Sequence, residues 1–456
     1  MSMSSVLKDD RGSVLATVLI VLIILLTIFL SAMTYALSRY SRHVARQNDL
    51  IASHLSEAGI AHAMAHLEEL GFRPGDSSWS APNDGTITTE IGAWGPYIRV
   101  RSTGEKGHRR VTTIALIGSA KLDIQNVAVV LADESNPLVV AGNTRVVGDI
   151  HTGLQGVTEG RFRGEGVSHE DYHIGELFKH DSLDVPPIDS VVLGRYEREL
   201  ETRRNGSVET VSGSLRLLAD DSGYFEKRSA LRVENDLELR DVLLTSTDSV
   251  RSIFVDGSVE IVGRTMLSGF IEIVADESIY VRDSATIDNV ILLAADSIVI
   301  SGAARSSALL MSQGRITVRD QATLADPSLV MSMRTDDHEE PGGLFLDSRR
   351  PMETVAYLQA PTSQPPSTGR LLYVDTFSVV RGSLYSQGHV DLRGRLEGNC
   401  VTERFHFYYP PTTYINWLKD ASIDRSKSKG LTVLPALAGS GGSGGYYVLR
   451  QERTDR

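Results

Sequence analysis

One segment of the sequence matches a zinc-protease pattern. His169, Glu170 and His173 follow the HExxH spacing, in which two histidines one helical turn apart bind zinc and the glutamate activates water. The pattern requires a stable helix, yet glycines flank it on both sides, at positions 160, 164, 166 and 175. No convincing downstream glutamate ligand follows. We interpret the segment as a polar loop, with these three residues as the alternative candidate metal ligands.

Cysteine content and charge exclude several other kinds of chemistry. Cys400 is the single cysteine, so an intrachain disulfide and a paired-cysteine zinc or redox site are both excluded. The chain has 456 residues and a net charge of −12, without a long Lys/Arg run. Such a surface does not suit a phosphate backbone, so we predict no nucleic-acid partner. We interpret Arg203-Arg204 as solvated turn residues.

The amino-terminal region predicts a membrane helix. Residues 12–38 carry no charge over 27 positions, which as a helix is about 40 Å long and exceeds the hydrocarbon core of a bilayer. We therefore predict a leader at 1–12 and a transmembrane helix at 13–38. The helical pattern continues without proline to Leu70 and becomes amphipathic, with Gly59 as its only helix-weakening residue.

This arrangement resembles the amino terminus of type IV pilins and pseudopilins. A charged leader, then Gly12 and an uninterrupted apolar helix resemble the class III signal of that family. The segment LSEAGIAHAMAHLEEL, residues 55–70, resembles PilX-type minor pilins, and WGPYIRVRSTGEKGHRRVTTIALIG, residues 94–118, is similar to the hairpin after a pilin helix. The resemblance implies a pilin-like module at 39–120, consisting of an amphipathic helix and a β-hairpin.

The resemblance also implies processing, partners and location. A prepilin peptidase would cut between Gly12 and Ser13, and the helix would pack against other pilin-like subunits. Major pilins have a glutamate where this chain has Thr17, so the resemblance favours an accessory or tip role. It implies a single-pass protein of the bacterial inner membrane, with its body in the periplasm or on the cell surface. Basic residues on both sides of the helix leave the orientation open, and an unprocessed signal anchor is the alternative.

Beyond residue 120 the strongest signal is an internal repeat. Similar segments begin at residues 255, 275, 295, 312 and 386, and their apolar residues Val259, Ile279, Ile298 and Ile316 follow at intervals of 20, 19 and 18. Each segment is a short alternating strand between Asp, Gly, Ser or Asn. The period predicts a parallel β-helix, or solenoid, over 121–406 in a mainly β protein with a long amino-terminal helix. An antiparallel sandwich is the alternative.

Two insertions and a terminal cap complete the predicted organisation. The first insertion, 155–207, contains a predicted helix over 188–201, and the second, 335–369, is a loop rich in Pro, Ser and charges. Residues 407–456 are predicted to close the solenoid and to end in a tail. In that tail YYVLR, residues 446–450, can add a strand to a sheet edge.

Carboxylates at the predicted corners of the repeat raise the alternative of a carbohydrate-active β-helix enzyme. Six residues are candidates for a catalytic pair: Asp276, Asp283, Asp288, Asp296, Asp320 and Asp326. Most lie beside Ser, Gly or Ala, where aspartate is favoured for its bonds to turn backbone. We therefore predict no catalytic residues, no enzyme activity and no cofactor.

The sequence favours a structural protein of the cell envelope. We interpret it as a minor pilin-like protein, associated with a type IV pilus or a secretion system, which displays a β-solenoid for adhesion or docking. A surface polysaccharide or a host surface is the expected outer partner. The alternatives are a membrane-tethered, polymerising scaffold similar to bactofilins and the carbohydrate-active enzyme.

Overall fold

The computed structural model describes most of the chain, and the described residues form two α-helices. The described residues are 11–70, 72–81, 85–119, 127–133, 135–169, 171–185, 187–225, 228–333, 342–359, 371–428, 434–436 and 446–455. Helix α1 is Arg11–Leu70 and α2 is Ser190–Arg204. Two short 3-10 helices are Ala219–Phe225 and Arg425–Lys427.

An antiparallel sheet follows α1. Its first four strands are β1 (Gly75–Ala81), β2 (Gly85–Trp94), β3 (Tyr97–Lys106) and β4 (Arg109–Ser119). The β3–β4 hairpin turns at Gly107, whose positive φ of 61° suits glycine. Strand β34 (Tyr446–Asp455) pairs antiparallel with β4 as the fifth strand, so the segment YYVLR does add a strand to this sheet.

The remaining strands belong to the solenoid region. In its first part they are β5 (Val127–Leu131), β6 (Leu138–Ala141), β7 (Arg145–Val147), β8 (Asp149–Gly153), β9 (Val157–Glu159), β10 (His173–Ile174), β11 (Leu177–His180), β12 (Glu209–Val211), β13 (Leu215–Leu217), β14 (Ala230–Val233), β15 (Leu237–Arg240), β16 (Leu243–Val255), β17 (Val259–Val262), β18 (Met266–Ala275) and β19 (Ser278–Val281).

The chain continues through the rest of the solenoid in the same manner. These strands are β20 (Thr286–Ala294), β21 (Ser297–Ile300), β22 (Arg305–Ser312), β23 (Arg315–Asp320), β24 (Thr323–Leu324), β25 (Leu329–Met333), β26 (Gly343–Ser348), β27 (Met352–Gln359), β28 (Leu371–Val374), β29 (Val379–Leu392), β30 (Arg395–Tyr409), β31 (Thr412–Ile415), β32 (Trp417–Lys419) and β33 (Ser422–Asp424).

The predicted solenoid is confirmed, and its repeat matches the observed register. Val259 pairs with Ile279, Ile279 with Ile298, and Ile298 with Ile316, all in parallel strands. All four side chains are fully buried. One coil cannot cover its own apolar face, so each stacks on the next and the interior becomes a column of aliphatic side chains.

The second predicted insertion is partly wrong. Within 335–369, β26 and β27 are solenoid strands, since Ile316 pairs with Leu344 and Leu344 with Leu372. Residues 334–341 and 360–370 lie outside the described residues. The interval between paired residues lengthens here from 18 to 28, so a search for a constant period overlooks these strands.

The first predicted insertion also contains solenoid strands. Strands β10 and β11 pair in parallel with β7 and β8, and β9 pairs with β6. Helix α2 leaves the solenoid, close to the predicted 188–201. Its amino-terminal cap is the side chain of Asp189, which accepts a hydrogen bond from the Val191 amide at 2.8 Å.

The stacking order of the coils differs from their order in the sequence. Strand β5 lies against β30, with Val129 opposite Cys400, and β7 lies against β33, with Val146 opposite Ile423. The first coils of the chain therefore follow the last ones in the stack. In the sequence, helix α2 connects these first coils to β12, which pairs with β14 at the opposite end of the stack.

This order corrects the predicted cap. The strands between 412 and 424 do not close the solenoid, because β6 and β7 stack on β32 and β33. At the outer end, β11 pairs in parallel with β8. The sequence does not reveal this arrangement because apolar spacing defines the coils but not which ends of the chain meet.

A double-cysteine variant tests the stacking order. Arg145 and Ser422 are directly paired in neighbouring strands, about 4.8 Å apart, which is within the reach of a disulfide. Arg145→Cys with Ser422→Cys should form an intramolecular disulfide on mild oxidation, detected as a mobility shift on a non-reducing gel. Cys400 is buried and should not interfere.

The control places one strand between the two thiols. Arg395 pairs with Ser422 from the other side, so it lies two strands from Arg145, at about 10 Å. Arg145→Cys with Arg395→Cys should remain reduced. Equal crosslinking of both pairs, or crosslinking of neither, would contradict the order described.

Candidate functional site

The first half of α1 is an apolar rod without protein cover. Between Leu15 and Leu37 every large apolar side chain is at least 50% exposed. The hydroxyls of Thr27 and Thr34 donate 2.8 Å hydrogen bonds to the carbonyl oxygens four residues earlier, so they need no water. By length and composition this helix can cross a membrane.

The predicted processing residues lie at the beginning of this helix. Gly12 and Ser13 both have helical backbone within α1, and the preceding residues 1–10 lie outside the described residues. Thr17 is on the same helix and is exposed. The structure therefore places the proposed cleavage junction and the exposed apolar rod on one continuous 60-residue helix.

The second half of α1 packs tightly on the antiparallel sheet. Ala52, Ile60, Ala63 and Leu67 are buried on one face of the helix. Two glycines allow the close approach. A Cβ on Gly59 would lie 2.0 Å from the Ser102 hydroxyl oxygen, and a Cβ on Gly104 would lie 2.2 Å from the Ala52 carbonyl oxygen. Gly59, which weakens the helix in isolation, is thus required by packing.

Polar contacts fix the position of α1 on the sheet. The hydroxyls of Ser56 and Thr113 are hydrogen-bonded at 2.8 Å in a buried environment. Asp49 forms a 3.3 Å ion pair with Arg109 of β4. Arg453 of β34 donates a 2.7 Å hydrogen bond to the hydroxyl of Ser53. Strand β34 therefore contacts α1, although about 400 residues separate Ser53 from Arg453 in the sequence.

The tip of the β2–β3 hairpin joins the sheet to the solenoid. Gly95, with φ of 57°, lies at the tip, where a Cβ would contact the side chains of Leu309 and Met311 on the outward face of the solenoid. Trp94 packs edge-on against Phe270 with ring centroids 5.2 Å apart. Tyr97 is also buried, and this burial raises the pKa of its hydroxyl. The contact is apolar and aromatic, as in a protein core.

Helix α2 binds the outward face of the solenoid through an ion pair with a buried carboxylate. Arg203 donates a 2.9 Å hydrogen bond to Glu272, which is fully buried and also accepts a 2.8 Å bond from Ser252. Burial raises the pKa of the Glu272 carboxyl, and the Arg203 guanidinium partly offsets this by stabilising the carboxylate. Arg204 pairs with Asp276 at 2.6 Å. The interpretation of Arg203 and Arg204 as solvated turn residues is therefore wrong.

A third link joins β34 to the solenoid. The guanidinium of Arg450 binds both carboxylate oxygens of Asp288, at 2.8 and 2.9 Å. These bonds hold the pKa of Asp288 below its usual value despite partial burial. The sequence does not indicate that Arg203 pairs with Glu272 or that Arg450 pairs with Asp288. No spacing indicates which distant strand each arginine contacts.

The HExxH segment does not form a helix where the structure describes it. His169 lies in a loop and its Nε2 is 2.6 Å from Asn143 Oδ1, whereas His173 begins strand β10 and its Nε2 is 3.1 Å from the Gly148 carbonyl oxygen. Glu170 lies outside the described residues. In the described part of the chain, no three metal-ligand side chains come together.

The six candidate carboxylates have different structural roles. Asp283 and Asp320 lie at corners with positive φ and accept hydrogen bonds from the amides of Gly263 and Gly302 in neighbouring coils. Asp276 and Asp288 bind arginines, as described above. Asp296 is exposed. For Asp326, burial and the nearby Glu353 raise the pKa. The corner role predicted from turn chemistry therefore describes Asp283 and Asp320 well.

Comparisons with known proteins provide little further guidance. No protein-family model matches the chain. No curated protein matches it either. Among solved structures, the chain is similar to the competence-associated pilin ComZ from Thermus thermophilus, with 11% sequence identity and a TM-score of 0.18. That alignment covers 90% of this chain and 98% of the pilin. At so low a TM-score, the similarity carries no argument about fold or function.

A glycine variant tests the helix–sheet contact. Gly104→Ala should lower the free energy of unfolding by about 2 kcal/mol, because the added Cβ overlaps the backbone of α1 and forces the helix from the sheet. Gly75→Ala is the matched control, since a Cβ there meets no atom within 4 Å. Its effect should stay within about 0.5 kcal/mol. Urea unfolding of the detergent-solubilised protein measures both, and equal effects would contradict the close approach.

Proposed function

We propose that this chain is a structural, minor pilin-like protein of the bacterial cell envelope, with the first half of α1 in the inner membrane. The observation that carries the proposal is the division of α1. One half is uncharged and exposed, and the other half is locked onto a folded body. A helix of this kind can pass from the lipid into a helical assembly without unfolding its attached domain.

The exposed half of α1 suits lateral packing against other helices. In lipid, helices associate through close packing, and the small residues Ala16, Ser31, Ala32 and Ala36 allow neighbouring backbones to approach. Other pilin-like subunits are the partners we propose. Thr17 replaces the glutamate expected of a major pilin, which favours an accessory or tip position.

The rigid connection to the solenoid supports a role in display or docking. The hairpin tip, α2 and β34 each contact the solenoid, so the solenoid would move together with the helix. We expect it to stand in the periplasm or outside the cell, where its long surface can contact a surface polysaccharide or a host surface. This role is structural rather than enzymatic.

A polymerising scaffold is the second candidate. The solenoid has strand edges at its two ends, β11 at one and β12 at the other, and such edges can pair with another chain. End-to-end rods of the detergent-solubilised protein would favour this candidate, whereas a monomer favours the minor pilin.

Amino-terminal processing tests the pilin proposal. When the full chain is produced with a prepilin peptidase, mass spectrometry should find a mature protein that begins at Ser13. Gly12→Val should block the cut because a side chain then occupies the position before the scissile bond, and Ser13→Ala should still be processed. An intact Met1, or a cut at another bond, would remove the main support for the proposal.

A further inference from the structure

A cavity of about 450 Å³ lies between α2 and the outward face of the solenoid. Its solenoid side is formed by Phe254, Val274, Leu293 and Met333. Val274 and Leu293 are paired residues of the neighbouring strands β18 and β20, so they form one continuous apolar surface. Leu193 and Leu200 of α2 face them. The volume is in the range of pockets that hold small organic ligands.

The rim of this cavity is acidic. Glu197, Glu201 and Arg204 of α2 line it together with Asp276 of the solenoid. Arg204 is already paired, since it lies 2.6 Å from Asp276 and 3.8 Å from Asp256. Glu197 and Glu201 form no ion pair within the described part of the chain. The cavity therefore combines an apolar interior with two carboxylates that have no ion-pair partner among the described residues.

Both carboxylates are exposed at the mouth of the cavity, where a ligand from solution can reach them. Partial desolvation raises the pKa of the Glu197 carboxyl, and the adjacent Arg198 opposes this. A cation held at the rim would stabilise both carboxylates, and an attached apolar body would cover the interior. An anion or an uncharged polar molecule satisfies only one of these two requirements, or neither.

We propose that this cavity binds a small organic cation, namely a primary amine on an alkyl or aromatic body. The ammonium group would contact Glu197 and Glu201 at the rim, and the body would lie on Val274 and Leu293. This site is independent of the proposed role of α1, because none of its lining residues belongs to that helix.

Calorimetric titration of the full chain in nanodiscs tests the proposal, with empty nanodiscs as the blank. The probes are 2-phenylethylamine, its neutral analogue 2-phenylethanol and the anion 3-phenylpropionate. The amine should bind with one site, at least about tenfold more tightly than the alcohol, and the anion should not bind. Higher salt should weaken binding of the amine, since part of its affinity is electrostatic.

Variants assign the binding to this cavity. Glu197→Gln with Glu201→Gln should lower the affinity for the amine about tenfold or more. Glu234 is exposed and lies outside the cavity, so Glu234→Gln should leave that affinity unchanged. Ala295→Phe should block binding by filling the cavity from its lining. The comparison of amine with alcohol uses the native protein and does not depend on how these variants fold.

Several outcomes would overturn the proposal. These are equal binding of the amine and the alcohol, unchanged affinity in the double glutamine variant, and no binding of the amine. Binding of a lysine-containing peptide without binding of the free amine would likewise overturn it, because the site would then recognise a protein segment. The mature amino terminus is unaffected by any of these results, so the two proposals fail separately.

Discussion

Burial of the apolar outward face of the solenoid holds the antiparallel sheet, helix α2 and the solenoid together. Ile291, Leu309 and Met311 project away from the interior of the coils and would be exposed in an isolated solenoid. The hairpin tip at Trp94 and the helix residue Tyr196 cover this face and are themselves fully buried. Hydrophobic stabilisation is proportional to the apolar area removed from water. Separating these elements would therefore expose an apolar core rather than a hydrated, polar interface.

The path of the chain strengthens this association. The first coils stack on the last, and α2 connects β11 at one end of the stack with β12 at the other along the sequence. Strand β34 pairs with β4 in the sheet that packs on α1. Arg203 and Arg450 then connect the covering elements to Glu272 and Asp288 of the solenoid. A displacement of α1 would therefore be transmitted to the solenoid through the sheet. That property suits a protein whose membrane helix is assembled into a larger structure.

Local patterns predicted much of this fold, and long-range contacts account for what they missed. The uncharged stretch and the spacing of Val259, Ile279 and Ile298 gave the long helix and the stacked coils, because apolar periodicity reports which faces are buried. Strands β26 and β27 were missed where the interval lengthened. The stacking of Val129 on Cys400 and the pairing of Arg203 with Glu272 depend on which distant segments meet, and a single sequence does not contain that information.

The central claim is that α1 has one half in lipid and one half fixed to the folded body. Spin labels on single cysteines in nanodiscs test it most directly, since the native Cys400 is buried and remains unlabelled. Labels at Leu22 and Leu30 should be accessible to oxygen and shielded from a water-soluble nickel complex, whereas a label at the exposed Ala58 should show the reverse. If the nickel complex reached positions 22 and 30 as readily as position 58, α1 would not enter the membrane and the account would be wrong.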